Sequence, residues 1–408
     1  MTFDCTLAYI KVTNDMPDIL HPAAFGLPPT IMAPSGFLAE PERWSADNVL
    51  LTVRSSLSPQ ERTQLEGAAY TYGSTPETYD VACSNGSLLR TPCGNGYANI
   101  HPDGRFWHIP GGMIAQHDLK LRMIQWLKDI SLTQRRTIAV YSVGSEDVAQ
   151  YREAGFVINK FGEEPVIDLG QLNWQGGSFE WVRRQTNYCK RAGLEVAEVS
   201  DSDAQRDLSR ELDEIHADDL SDRVYSQPLK LLEGEFDSNV LLRRRLFVAR
   251  HRETNRIEGF MAASPMEAGR AWSFETYRKR RTAPRGTMPF LFREVIDRMQ
   301  SEGIQRVSLC LVPGKGVKQD RTAHSDAKLQ WILSLWYSHL NIIFNTAGQD
   351  FFKSRFRPRY IDRYLCVAPH NSLFSAVSFL KTSGAIRPNI RNFLRRLIRG
   401  QKHSSSRE

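Results

Sequence analysis

The sequence predicts a mixed α/β protein built from two packed units. Strand-like and helix-like segments alternate along the first half, and the second half repeats that style. The 408 residues exceed what one compact domain of ~100–200 residues usually holds. Hydrophobic residues make up 41% and charged residues 24%, with twenty Phe and eight Trp to fill a core, so a chain disordered throughout is excluded.

The elements follow in order. The first fifty residues are rich in Pro and turn signals and read as loops with a short strand near Leu7–Val12. Ser58 to Gly67 opens on Ser-Pro-Gln-Glu, a capping box, and predicts a helix. Strand segments with Gly/Asn turns between them follow, as in GNGYANI and HPDGRFWHIPGG. His117–Leu132 predicts an amphipathic helix, because Leu121, Ile124, Leu127 and Ile130 recur at helical spacing. Thr137–Val143 predicts a strand, Ser145–Ala154 a helix and Phe156–Leu169 further strand. In the second half, Phe179–Ala192 and Asp201–Ala217 predict helices. Leu246–Arg250 and Arg256–Ala263 predict paired strands joined by the turn at Glu253–Asn255. Ala271–Tyr277 predicts a strand, Met288–Glu302 a helix, Val307–Val312 a strand, Asp326–His339 a helix and Tyr364–Ala368 a closing strand.

Charge is unevenly placed. The net charge is +7, yet Phe351–Glu408 alone carries thirteen Lys and Arg against two acids. That end is therefore +11 and the rest of the chain about −4 (7 − 11 = −4), which predicts a polyanionic partner, nucleic acid or an anionic membrane, met by the C-terminal end, or else a solvated basic tail. Asn389–Lys402 reads as a basic amphipathic helix with Ile390, Phe393, Leu394, Leu397 and Ile398 on one stripe, suited to a membrane interface or to docking on its own domain. Lys402–Glu408 reads as a disordered tail. No signal-peptide pattern stands at the N-terminus. The most apolar stretch, Leu329–Phe344, is broken by Ser334, Ser338, His339 and Asn341, short of the ~20 apolar residues of a span. The expectation is a soluble or peripheral cytoplasmic protein. The six cysteines form no CxxC pair and no zinc spacing, so free thiols and no metal are expected.

Three separated segments carry a resemblance. The first is Lys160-Phe-Gly-Glu-Glu-Pro-Val-Ile-Asp-Leu169, followed by Gly176, Arg183, Asn187, Arg191 and Gly193. The second is Ser273-Phe-Glu-Thr-Tyr-Arg, running on to Ala-Pro-Arg-Gly-Thr-Met-Pro-Phe-Leu-Phe292. The third is Phe352-Lys-Ser-Arg-Phe-Arg-Pro-Arg-Tyr-Ile-Asp-Arg-Tyr-Leu365. In order and spacing they resemble the tRNA-dependent phosphatidylglycerol aminoacyltransferases, also called multiple peptide resistance factors, over roughly residues 65–370. Pro289 and Ala347 depart from the pattern, where the family has Asp and, in many members, Lys.

The resemblance implies tandem acetyltransferase-like (GNAT-like, acyl-CoA N-acyltransferase-like) domains joined by a basic helix. We place them at residues 1–175 and 176–385, with 386–408 as basic helix and tail. It implies transfer of an aminoacyl group from aminoacyl-tRNA, as co-substrate with no bound cofactor, to phosphatidylglycerol or a related lipid or small-molecule acceptor. An acetyl-CoA-dependent acyltransferase and a non-catalytic RNA- or membrane-binding protein are the alternatives.

The residues themselves fit such chemistry. Glu275 and Arg278 are the catalytic candidates: a carboxylate can hold an ammonium or take a proton, and a guanidinium can bind a phosphate or a developing oxyanion. Glu163 and Glu164 point to opposite faces of a strand, one to hold a substrate ammonium and the other to meet an arginine, or both to form structural ion pairs. Arg183, Asn187, Lys190 and Arg191 share a helix face that can follow phosphates, or lie on a solvated surface helix. Arg280 and Arg281 belong to a cationic loop before a helix. In acetyl-CoA-dependent relatives this loop cradles a pyrophosphate, and here it lacks the second glycine. Lys353, Arg355 and Arg363 alternate with aromatics, a pattern suited to single-stranded RNA or to an edge strand with a basic face.

Overall fold

The computed structural model describes residues 44–83, 86–200, 202–221, 223–225, 229–231, 243–319, 326–339, 346–385 and 389. The strand expected near Leu7–Val12, the basic segment expected after Asn389 and the tail lie outside these residues.

One mixed sheet organises the described chain. Its strands are β1 (Thr52–Val53), β2 (Ser87–Arg90), β3 (Tyr97–Asp103), β4 (Phe106–Pro110), β5 (Thr137–Gly144), β6 (Val157–Asp168), β7 (Leu194–Val199), β8 (Arg245–His251), β9 (Ile257–Met266), β10 (Ala271–Lys279), β11 (Arg306–Ser308), β12 (Val312–Pro313) and β13 (Arg359–Ala368). Across the sheet they run β1-β2-β3-β4-β5-β13-β6-β11-β10-β9-β8-β7, with β12 beside β6. Most neighbours are antiparallel, but β4 with β5 and β10 with β11 are parallel. A parallel pair needs a crossover connection. The helices α3 (His117–Thr133) and α7 (Thr287–Ser301) supply it. The chain thus writes one pattern twice: antiparallel strands, a helix, a parallel strand. This is the α/β class that the sequence predicts. In the middle of the sheet the two ends of the chain interleave, because β13 inserts between β5 and β6, and β6 pairs on its other side with β11.

The helices remaining are α1 (Pro59–Tyr72), α2 (Asp80–Cys83), α4 (Val148–Glu153), α5 (Glu180–Arg191), α6 (Ser202–Ser221), α8 (Ala327–His339), α9 (Thr346–Ser354) and α10 (Leu373–Thr382). The capping box at α1 is formed: the Ser58 amide donates to the Glu61 carboxylate at 2.9 Å, and Pro59 fills the first helical position, where its missing N–H costs nothing. Helix α3 buries Met123, Ile124, Trp126, Leu127 and Ile130 in a core with Ile138 and Val140 of β5; Leu121, expected on that stripe, faces solvent. Helix α7 buries Phe290, Leu291, Phe292, Val295, Ile296 and Met299, each such side chain stabilising by roughly 1.5–3 kcal/mol. Phe292 stacks on Phe356 at 5.3 Å, which locks the segment after α9 to this second core.

Several boundaries differ from expectation: α1 runs on to Tyr72, α6 to Ser221, and the strand expected over Val307–Val312 is split into β11 and β12. Two further differences have a local cause. Helix α4 starts at Val148 because the residues before it form a turn closed by the Asp147 amide on the Gly144 carbonyl. Strand β13 begins at Arg359, ahead of the expected Tyr364, because cations in its first half find carboxylates on β6. Cys93, Cys189, Cys310 and Cys366 are free thiols. No described helix is long and apolar enough to cross a membrane.

Candidate active site

The strand that carries Glu275 is irregular at that residue. The β10–β9 register slips between Phe274 and Thr276, so Glu275 is the extra residue of a bulge, a device that re-aims a side chain. Its carboxylate is buried and fully bonded. Oε2 accepts from Arg244 Nη2 at 2.9 Å and from Ser264 Oγ at 2.7 Å, and Oε1 accepts from Ser273 Oγ at 3.1 Å. Burial raises its pKa, opposed by Arg244 and the two serines. Arg244 also donates to Asp80 of α2 at 2.6 Å, tying the first half of the chain to β10. Arg278, on the same strand, is buried with its Nε 3.7 Å from Asp219 of α6.

A second carboxylate cluster faces the first. Glu164 of β6 is 1% exposed and Arg363 of β13 4%; Arg363 Nε donates to Glu164 Oε2 at 2.5 Å. Glu164 Oε1 is buried and accepts no hydrogen bond from the described residues. Behind it stands Glu77, in the single 3-10 turn Pro76–Thr78. Its Oε1 accepts from Ser142 Oγ at 2.9 Å, and its Oε2 is likewise buried without a donor. Burial, and then the charge of Glu164, push the Glu77 carboxyl up to about 7. Ser142 holds φ at +61°, an uncommon conformation for a residue with a side chain and one that clusters at functional sites.

Between the clusters lies Cys310, also at positive φ, whose thiol donates to the Phe274 carbonyl. Burial raises its pKa far above the usual value, Lys353 opposes this, and Glu275, Glu77 and Glu164 raise it further, so the thiol feels the charge of all four. Lys353, at the end of α9, turns inward: its ammonium donates to the Cys310 carbonyl at 2.9 Å, and burial lowers its pKa. A cavity of about 240 Å³ reaches the Glu164–Arg363 pair, lined also by Ser308, Glu146, Arg306 and Arg359 among others. Arg359 is held there by a two-pronged bond to Asp168 (2.9 and 3.1 Å), and Arg306 by Glu267. Among the described residues no three His, Cys, Asp or Glu gather as a metal site.

The structure therefore brings Glu164, Glu275, Lys353 and Arg363 to one centre. Glu163 does not join them. It bonds Lys160 at 2.8 Å, and Lys160 also meets Asp362 at 2.7 Å. Arg280 bonds Glu211 and the Ile257 carbonyl, and Arg281 bonds Asp218, so their loop is fastened to α6 and the sheet. At the end of that loop Gly286 (φ +98°) packs on α5: a Cβ there would sit 2.6 Å from Gln185 Oε1 and 3.4 Å from Cys189 Sγ.

Helix α5 and the end of α9 make a separate surface. Arg183 turns back to the Trp174 and Gly176 carbonyls. Asn187, Lys190 and Arg191 are exposed, with Lys190 paired to Glu294 at 2.8 Å. Arg355 stacks over Trp181 of α5 at 5.0 Å and over the exposed Phe351 at 5.5 Å, so two of the motifs meet in one cationic and aromatic patch.

Sequence reasoning missed Glu77, Ser142 and Arg244. Glu77 lies in a turn segment with no periodicity, and its hydrogen-bond donor is 65 residues away. Thr-Pro-Glu-Thr announces a tight turn but nothing of what that turn faces.

Known proteins are similar in sequence and share the fold. The profile of the family described as phosphatidylglycerol lysyltransferase, C-terminal, matches residues 92–367. The chain is 23% identical over 248 residues to a phosphatidylglycerol lysyltransferase of Bacillus subtilis, a match covering 60% of this chain and 28% of that protein. It is 23% identical over 242 residues to the lysylphosphatidylglycerol biosynthesis bifunctional protein LysX of Rhodococcus jostii, covering 58% of this chain and 21% of LysX. The chain thus spans about a quarter of the length of these relatives. Among solved structures, L-PGS from Bacillus licheniformis superposes with a TM-score of 0.65 at 19% identity, covering 80% of this chain and 95% of that one, and so shares the fold.

Proposed function

The chain belongs to the phosphatidylglycerol lysyltransferase C-terminal family, and on that premise we propose that it is an aminoacyltransferase, moving an aminoacyl group from aminoacyl-tRNA to phosphatidylglycerol or a related hydroxyl acceptor. One observation carries the chemistry: Glu164, at the wall of a cavity, and Glu77 behind it are buried carboxylates that each keep one oxygen without a donor among the described residues, and the Glu77 carboxyl is pushed up to about 7.

The reaction is an ester exchange. The acceptor hydroxyl attacks the aminoacyl carbonyl; a new C–O bond forms, the bond to the tRNA ribose oxygen breaks, and the proton leaves the acceptor and returns to the ribose oxygen. A base for this step works best with a pKa near the operating pH. Glu164 faces the cavity, and Glu77 behind it, pushed up to about 7, can take up a proton near that pH. Arg363, fixed by Glu164, keeps guanidinium donors for the oxyanion or the acceptor phosphate. Glu275, with both oxygens bonded, fixes Arg244 and the β10 bulge, and Arg278 follows it on the same strand as a further phosphate ligand. Lys353 offsets the negative charge of the centre from the other side.

The tRNA donor rests on the α5–α9 surface, where exposed cations and aromatics suit the single-stranded acceptor end. The packing of Gly286 on α5 supports it over acetyl-CoA, since Gln185 walls the start of α7. A domain that meets both tRNA and an anionic lipid would work on the cytoplasmic face of the membrane, and that is where this reading puts the chain. Mass spectrometry of lipids from a host expressing the chain tests the reading. It predicts a species heavier than phosphatidylglycerol, or than another hydroxyl metabolite, by one aminoacyl group; unchanged lipids and metabolites would overturn it.

A further inference from the structure

Helix α10 carries an apolar stripe that the site does not use. Leu373, Phe374 and Val377 are 73%, 70% and 54% exposed. At i, i+1 and i+4 they share one side of the helix, and Lys381 lies one turn further along it. The helix is firmly seated on its other side. Phe379 packs on Tyr141 and Phe161, Ser378 bonds both His108 and Asp103, and a capping box at Ser372 closes its start. These apolar residues therefore face outward on a fixed helix, an arrangement that marks an interaction surface.

The charge that follows the stripe in the sequence points to the partner. From Thr382 to Glu408 the sequence holds seven Lys and Arg and a single acid, Glu408. An apolar stripe followed by a cation-rich segment fits an anionic bilayer: the apolar side chains enter the acyl boundary while the cations meet the headgroups. The position is consistent with this. Strand β13 leads from Arg363 at the cavity to Ala368, five residues or roughly 17 Å of strand, just before α10.

We propose that the outer face of α10 is the surface by which this chain lies on an anionic membrane. The proposal deepens the lipid-acceptor reading and rests on it for its purpose, whereas the binding itself is independent of catalysis. The test is co-sedimentation with vesicles of phosphatidylcholine alone and of phosphatidylcholine containing ~30% phosphatidylglycerol. The full chain is expected to bind the anionic vesicles more tightly. The triple variant Leu373→Ser, Phe374→Ser, Val377→Ser is expected to bind them at least about tenfold more weakly with its melting temperature unchanged. Equal binding by variant and parent, or equal binding of the parent to neutral vesicles, would overturn the proposal. So would a lower melting temperature with vesicle affinity intact, because it would show the stripe covered by the chain itself. Transfer to a soluble short-chain phosphatidylglycerol separates the two readings. The triple variant keeps that activity if both are right. If neither protein transfers while vesicle binding still depends on α10, the transferase reading fails and the membrane surface stands.

Discussion

Replacing Glu77 by Gln should make the protein more stable and less active, with both effects confined to one pH range. The side chain keeps its shape and its contact with Ser142 but loses the ability to ionise. In the folded chain burial and Glu164 raise this carboxyl from its ordinary 4.5 to about 7. A group whose folded pKa lies above its unfolded one contributes stability below the unfolded value and loses it as pH rises through the folded value. The parent is therefore penalised above pH 7 by the cost of charging Glu77, which at about 1.4 kcal/mol per pH unit is on the order of 3 kcal/mol. Glu77→Gln escapes that penalty. Parent and variant should match in stability near pH 4, and the variant should gain on the order of 2–3 kcal/mol by pH 8, a few degrees in melting temperature for a chain of this size. Its transfer rate should fall about 10²-fold or more as the proton acceptor is lost. Paired melting curves from pH 4 to 9, with single-turnover transfer on the same samples, read both effects. A variant whose stability tracks the parent at every pH, or that keeps full activity, would refute the assignment.

Other perturbations test other parts. Arg363→Met leaves Glu164 charged and buried without its partner, and should cost about 3–5 kcal/mol by denaturant unfolding. His108 is buried between Tyr141 and Ser378, and burial lowers its pKa from 6.5 to about 4. A lowered value means stability present above pH 6.5 and lost as pH falls toward 4, on the order of 3 kcal/mol in all; His108→Gln should flatten the stability profile in that window. Arg184→Ala with Arg191→Ala removes exposed cations of α5, and should raise the KM for aminoacyl-tRNA and weaken its salt dependence while leaving kcat near the parent value. Phe292→Ala opens a void against Phe356 and Phe274 and should cost about 3–5 kcal/mol.

What the sequence disclosed followed how local each signal was. The Ser58–Glu61 capping box and the apolar face of α3 are written within a few residues, and the structure has both. The start of β13 was hidden, because Arg359 and Arg363 look like solvated cations until Asp168 and Glu164, 191 and 199 residues away in sequence, come alongside. For the same reason Lys353 reads as a surface cation although it bonds the Cys310 carbonyl in the interior. Glu77 was invisible because its importance lies in what surrounds it: a strained Ser142 on one strand and Glu164 on another. Motif spacing singled out Glu164 and Glu275, but not the roles of their bonding partners, which only the bulge in β10 and the interleaving of β13 create.

Transfer in a purified system decides whether this chain moves an aminoacyl group from tRNA to a hydroxyl acceptor. The chain is incubated with tRNA carrying a radiolabelled amino acid and with vesicles containing phosphatidylglycerol, or with a host metabolite extract, and label is followed into the acceptor fraction. Base-labile, ester-linked label is expected in that fraction, abolished when the tRNA is digested with RNase beforehand and sharply reduced by Glu77→Gln. Label that arrives from free amino acid after RNase treatment, or that Glu77→Gln leaves unchanged, would contradict it.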